Sequence, residues 1–144
     1  MAKVTAVNIS ETKGVVKETI EKGYFQLNHG LEGDAHAGSW HRQVSLLAQE
    51  SIDKMIKSGA EGLTPGKFAE NITTEGIVLY DLPIGTKLKI GETEMEVTQI
   101  GKECHKGCAI RELVGDCVMP REGIFAKVLV PGWVKAGDEI TVIS

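Results

Sequence analysis

No block of basic residues stands anywhere in this 144-residue chain. Its sixteen lysines and arginines are spread along it against twenty acidic residues, giving a net charge of −4 and a pI near 5.6. Nucleic acid is held by a clustered basic surface, so it is not an expected partner. The chain also lacks a continuous apolar run long enough to cross a bilayer, and a charged start followed by an apolar signal segment. These absences lead to the expectation of a soluble, cytoplasmic protein with no membrane partner. Heptads, low-complexity tracts and domain linkers are missing too, and 15.5 kDa suits one domain with a real core across residues 1–144. Cysteine is scarce at three residues. An odd number without a secretion signal argues against a disulfide framework and for reduced thiols, free to react or to ligate.

All three thiols, Cys104, Cys108 and Cys117, fall within residues 101–130, together with His105, Arg111, Asp116 and Arg121. Thiolates are the softest ligands and strongest nucleophiles a protein owns, so the cluster points to a metal, to sulfur or to a redox couple. The order Cys104-His105-Lys106-Gly107-Cys108 is neither the C-x-x-C of zinc knuckles nor the C-x-x-C-H of haem attachment, which leaves a structural zinc site poorly supported. If residues 108–114 form a helical turn, Cys104 lies at its N-terminus, where backbone N–H groups and the ammonium groups of Lys102 and Lys106 favour the thiolate. On the bland reading, Cys108 and Cys117 are small buried hydrophobes. Cys104 and Cys108 are the candidate metal ligands, and Cys104 is the candidate catalytic thiol.

Residues 2–10 carry a β-branched run that reads as an opening strand, and residues 15–20 read as a second after a Lys13-Gly14 turn. Residues 28–38 hold two histidines and an aspartate among glycines with no hydrophobic period, which makes a loop whose backbone can approach a ligand closely. Residues 41–47 read as a strand and residues 49–58 as an amphipathic helix, with Ile52, Met55 and Ile56 on one stripe and Gly59 as a C-terminal cap. Residues 63–68 are punctuation before a strand beginning at residues 69–74. From Leu82 the pattern is β, and it echoes itself: Leu82, Ile84, Gly85, Leu88 and Ile90 have the spacing of Val134, Ala136, Gly137, Ile140 and Val142. Residues 94–100 alternate, with Met95, Val97 and Gln99 on one side, and residues 124–130 form a further apolar strand. Several short strands, one clear helix and no βαβ rhythm favour a mainly β domain, a β-barrel with one or two short helices packed on it.

A second constellation joins Gly33-Asp34-Ala35-His36 to His41-Arg42. Aspartate and histidine on one loop can place a water, an anion or a metal, and Arg42 can grip a phosphate or carboxylate with two N–H groups. The bland alternative makes Asp34 a turn cap and leaves the histidines on the surface. Glu70-Asn71 could be edge packing, and Arg121 could serve in a surface ion pair.

Taken together, Gly33-Asp34-x-His36, His41-Arg42-Gln43-Val44-Ser45-Leu46, Pro65-Gly66-x-Phe68-x-Glu70-Asn71-Ile72, Leu82-Pro83-Ile84-Gly85 and the cysteine after Thr98-Gln99 resemble the ordered landmarks of the MOSC domain. That family is named from the C-terminal domain of molybdenum cofactor sulfurases. The resemblance implies a β-barrel-like, stand-alone domain that binds the molybdenum cofactor, or carries persulfide sulfur on a cysteine for a donor or acceptor protein. It leaves open whether the protein is a catalyst or a carrier. Cys104 matches by position as persulfide carrier or molybdenum ligand, although Glu103 stands where relatives have proline. Whether one thiol or the set acts stays open, and so does a non-catalytic metal-binding or interaction module built on Cys104, Cys108 and Cys117. Arg42, Arg121 and Lys102 would neutralise the pterin phosphate. His36 and His41, with Asp34 as orienter, would be polar groups or proton carriers, and Glu70-Asn71 would form the opposite wall. No lysine has surroundings that suggest pyridoxal phosphate, and oligomeric state is not written in the chain.

Overall fold

The computed structural model describes residues 2–12, 17–35, 37–57, 70–101 and 123–143. Within them the chain forms β1 (Lys3–Ile9), β2 (Glu18–Ile20), β3 (Lys22–Gln26), β4 (Gly30–Leu31), β5 (Val44–Ala48), α1 (Gln49–Lys57), β6 (Ile72–Glu75), a 3-10 turn (Leu79–Asp81), β7 (Lys87–Ile90), β8 (Thr93–Ile100), β9 (Ile124–Val130), β10 (Gly132–Lys135) and β11 (Ile140–Val142). The mainly β reading holds. Eight strands form one sheet in the order β11-β7-β8-β9-β5-β6-β1-β2, and three form another in the order β10-β3-β4.

The expected barrel is not closed by a ladder. The outer edge of β1 is shared. Its C-terminal half pairs with β2 through Val7, Asn8 and Ile9. Its N-terminal half meets the approach to β11 through one bridge, Lys3 to Glu139, and bonds such as Val4 N–H to Asp138 O at 2.8 Å. With β2 occupying half of that edge and β11 only three residues long, there is no room for a continuous closing register.

The interior is aliphatic. Val4, Val7, Val44, Leu46, Ile72, Leu88, Ile90, Met95, Val97, Ile124 and Ile140 of the large sheet pack with Phe25, Leu31 and Val134 of the small one. The sequence echo has a structural counterpart. Gly85 (φ 96°) and Gly137 (φ 94°) both take the left-handed conformation that suits glycine, and the strands they feed pair with each other, Ile140 opposite Ile90 and Val142 opposite Leu88. Helix α1 packs on β5 and β6, with Ile52 of its stripe fully buried, Glu50 in the first turn, and Lys54 and Lys57 in the last, as the helix dipole favours.

Strand β5 is buried along its whole length, so both faces of the sheet are covered there. Val44, Leu46 and Ala48 belong to the core, whereas Ser45 and Leu47 look the other way. This outer face positions the candidate site. One transverse row on it crosses five strands and the residue that leads into β6: Thr19 pairs with Asn8, Asn8 N–H donates to Asn71 O at 2.7 Å, Asn71 N–H donates to Ser45 O at 2.8 Å, Ser45 pairs with Phe125, and Phe125 with Gln99.

Candidate functional site

At one end of this row lies a buried polar cluster. The turn Leu31-Glu32-Gly33-Asp34, with Asp34 N–H donating to Leu31 O at 3.1 Å and Gly33 at φ 87°, delivers the Asp34 carboxylate beneath the end of β1. There Lys17 Nζ lies 2.7 Å from Asp34 Oδ1, and both side chains are wholly buried. Lys17 also donates to Ser10 Oγ at 3.0 Å, and Ser10 N–H donates to Asp34 Oδ1 at 3.0 Å. Burial works to raise the Asp34 pKa. The bond and charge of Lys17, the Ser10 N–H and the Asn71 side chain outweigh it, holding the carboxyl below its ordinary value of 3.8.

Asn71 and Glu70 join the same cluster from the start of β6. Asn71 Oδ1 accepts from Ser45 N–H at 3.0 Å and from Ser45 Oγ at 3.1 Å, while Asn71 Nδ2 donates to Asn8 O at 3.3 Å. Glu70 is fully buried, and its Oε2 accepts from Thr73 Oγ1 at 2.9 Å. Asn8 Nδ2 donates to Thr73 Oγ1 and to Glu70 O, both at 3.1 Å, and Thr19 Oγ1 donates to Asn8 Oδ1 at 2.8 Å. Such a network, desolvated and mutually satisfied, is rigid because each bond is strengthened by its low-dielectric surroundings.

The other end of the row belongs to His41 and Arg42. Arg42 Nε donates to Gln99 Oε1 at 3.0 Å, and its guanidinium carbon lies 5.2 Å from the centre of the Phe125 ring. The terminal guanidinium nitrogens have no partner among the described residues. His41 Nε2 lies 2.9 Å from the same Gln99 Oε1, the exposed imidazole meets the Trp40 ring edge to face at 5.8 Å, and the Thr98 hydroxyl donates to the His41 carbonyl. Gln99 Nε2 donates to Gly101 O at 2.7 Å, and Gly101 N–H donates to Gly123 O at 2.7 Å. The chain therefore leaves and rejoins the sheet at Gly101 and Gly123, beside the residue that holds His41 and Arg42.

Of the residues singled out from sequence, Asp34, Glu70 and Asn71 converge, and His41 and Arg42 converge separately at Gln99. Asp34 faces Lys17 and Ser10, while the His41 ring contacts Gln99. His36, Lys102, Cys104, Cys108, Cys117 and Arg121 lie outside the described residues. Sequence reasoning missed Lys17, Asn8, Ser10, Thr73, Trp40 and Phe125. It placed Gln99 with Met95 and Val97 on the apolar side of β8. A bulge between Val97 and Gln99 explains the difference, because one extra residue there reverses the alternation and turns Gln99 outward.

The family model for the MOSC domain matches residues 33–141, well over half of the chain, a span that holds Asp34, Glu70 and Asn71 as well as His41, Arg42 and Gln99. The chain belongs to the MOSC domain family. The family is associated with molybdenum cofactor sulfurase-like proteins. Among solved structures, the chain is similar to YiiM from Geobacillus stearothermophilus at 18% identity and a TM-score of 0.79, covering 100% of this chain and 76% of that one. It is similar to the YuaD protein from Bacillus subtilis at 21% identity and a TM-score of 0.72, covering 97% and 94%. YiiM from Escherichia coli gives 19% identity and a TM-score of 0.71, covering 100% and 70%. At these identities the likeness is one of MOSC fold. A comparison with curated proteins finds no match. No helix among the described residues is long and apolar enough to cross a membrane.

Proposed function

We propose that this MOSC domain binds the molybdenum cofactor or a related metal–sulfur species on the outer face of the large sheet, with Cys104 as metal ligand or persulfide carrier. The observation that carries the reading is Arg42. Its Nε is fixed by Gln99 and its guanidinium carbon lies over the Phe125 ring, which leaves the outer guanidinium edge set for a bidentate grip on an oxyanion such as the pterin phosphate. Cys104 follows Gly101 by three residues, which limits their Cα separation to about 11 Å whatever path the chain takes. A thiol on that tether is within range of a molecule gripped by Arg42.

Arg42 would bind the phosphate, with Arg121 and Lys102 as further cations, and His41 would exchange a proton beside it. Bound cofactor would supply metal-centred oxygen or sulfur chemistry. The Asp34-Lys17-Asn71 cluster contributes rigidity, holding Ser45 and the start of β6 against the row that carries Arg42. The fit of the residues to the group thus rests on a preset cation, and the partner would be the cofactor itself or a sulfur donor or acceptor protein.

The test is anaerobic purification under reducing conditions, incubation with cofactor and with a persulfide donor, and assay of bound molybdenum, pterin and sulfane sulfur. At least one should be retained by the wild-type protein and lost in Cys104→Ser with the fold intact. Absence of all three from wild-type protein would overturn the reading.

A further inference from the structure

The bulge in β8 does more than turn one side chain. It lets two successive residues, Thr98 and Gln99, address the same segment, the first through the His41 carbonyl and the second through the His41 ring and Arg42. Regular alternation would send them to opposite faces of the sheet.

The three partners of the Gln99 amide fix its orientation and, through it, a proton. Gly101 O can only accept, so the amide nitrogen faces it at 2.7 Å. Arg42 Nε can only donate, so the amide oxygen faces it at 3.0 Å. The contact left over, from the same oxygen to His41 Nε2 at 2.9 Å, is a hydrogen bond only if His41 Nε2 carries the hydrogen. We propose that Gln99 is a positioning residue that holds neutral His41 as the Nε2–H tautomer, so that Nδ1 is the nitrogen His41 offers to a bound molecule.

The ring is held on three counts: its backbone carbonyl by Thr98, its Nε2 by Gln99 and its face by Trp40. Nδ1 has no partner among the described residues, and the imidazole is exposed. A ligand O–H or N–H reaching this site gives its proton to Nδ1, the electron pair stays on the ligand atom, and the imidazolium keeps its Nε2–H on Gln99 throughout. Gln99 therefore sets the two groups that meet a ligand, the Arg42 guanidinium and the His41 base, from one carbonyl oxygen. This assignment rests on the proposed binding reading for its ligand, but not for its tautomer.

Long-range proton–nitrogen correlation NMR on 15N-labelled protein, at a pH where imidazoles are neutral, reads the tautomer directly, with His41→Asn assigning the signal among the four histidines. Wild-type protein is expected to show a single His41 form with Nε2 protonated and Nδ1 bare. Gln99→Glu keeps the acceptor and should preserve that form, whereas Gln99→Leu removes it and should give a mixture of both tautomers. A wild-type His41 protonated at Nδ1, or an unchanged single form in Gln99→Leu, would overturn the assignment. Should Gln99→Leu fail to fold, the wild-type spectrum decides alone. The measurement uses no cofactor, so a protein that retains no molybdenum, pterin or sulfur sinks the binding reading and leaves this result standing on its own.

Discussion

The two faces of β1, β5 and β6 are buried alike and built by opposite rules. Val7, Leu46 and Ile72 on the inner face are 0% exposed, and so are Asn8, Asn71 and Thr73 on the outer one. Inside, shape and volume decide, and a side chain of similar size would be tolerated. Outside, the side-chain polar atoms of Asn8, Asn71 and Thr73 all have a named partner, and a substitution leaves that partner stranded in low dielectric. Burial alone therefore does not tell scaffold from site here, whereas a hydrogen-bonded polar network at zero exposure does. Sheets usually leave one face wet or cover both with apolar groups. A desolvated polar network is costly to build, and the proposed ligand chemistry next to it supplies a reason for keeping it.

The sharpest way to break the comparison is through the Asp34-Lys17 pair. Asp34→Ala would take the carboxylate from beside a wholly buried ammonium and should cost about 3–5 kcal/mol in urea unfolding. Replacing both partners with apolar residues, Lys17→Met with Asp34→Leu, should recover most of it, since neither charge is then buried without the other. If the double variant is no more stable than Asp34→Ala, the pair is not the unit described. On the inner face, Leu46→Ala should cost about 2–5 kcal/mol by cavity formation, without any rescue by a second exchange on the outer face. The two losses should add, because the faces share no partner.

Acid offers a gentler probe of the same pair. The folded Asp34 carboxyl titrates below its unfolded value of 3.8, so the unfolded chain binds the proton first as pH falls. The pair's contribution is therefore complete above the unfolded pKa and is lost progressively as pH drops through that value and on through the folded one. Urea midpoints measured between pH 6 and pH 3 should fall on the acid side. The slope should be shallower in Lys17→Met, which removes the main force pulling that pKa down. An equal slope in the two proteins would assign the acid sensitivity to other carboxylates.

The inner face was legible in the sequence and the outer one only in part, for a physical reason. Alternation and β-branching reveal which residues face a core, and they located β1, β5, β8, β9 and the echoed Gly85 and Gly137 turns. They carry no signal for a pairing such as Lys17 with Asp34, because nothing periodic links two residues seventeen positions apart and the attraction exists only once the fold has desolvated both. Gln99 was misplaced because a bulge is a local break in the period on which the reading depends. The three-stranded sheet was missed for a similar reason: Lys22, Tyr24 and Gln26 make β3 look polar, and only pairing with β10 and β4 shows Phe25 and Gly23 to be its buried side. The landmarks Asp34, His41-Arg42 and Glu70-Asn71 were found by their order along the chain, which is a family signal. Their partners were not, since partners are set in three dimensions.

Adjacent threonines give the smallest and most direct form of the comparison. Thr73 and Thr74 are both 0% exposed in β6, and alternation sends them to opposite faces. Thr73 Oγ1 donates to Glu70 Oε2 and accepts from Asn8, so Thr73→Val should cost about 1–3 kcal/mol by stranding both. Thr74 shares the side of Ile72, and its Oγ1 has no hydrogen-bond partner among the described residues. A hydroxyl desolvated with nothing in return is a penalty that the folded state bears and the unfolded state does not. Thr74→Val, which keeps the branched shape and removes the hydroxyl, should therefore gain about 1 kcal/mol and raise the Tm by roughly 2–5 °C. The same exchange one residue apart should thus carry opposite signs. Equal signs in thermal unfolding would mean that the polar network ends before Thr73, or that a water satisfies Thr74, and either would erase the line drawn between the two faces.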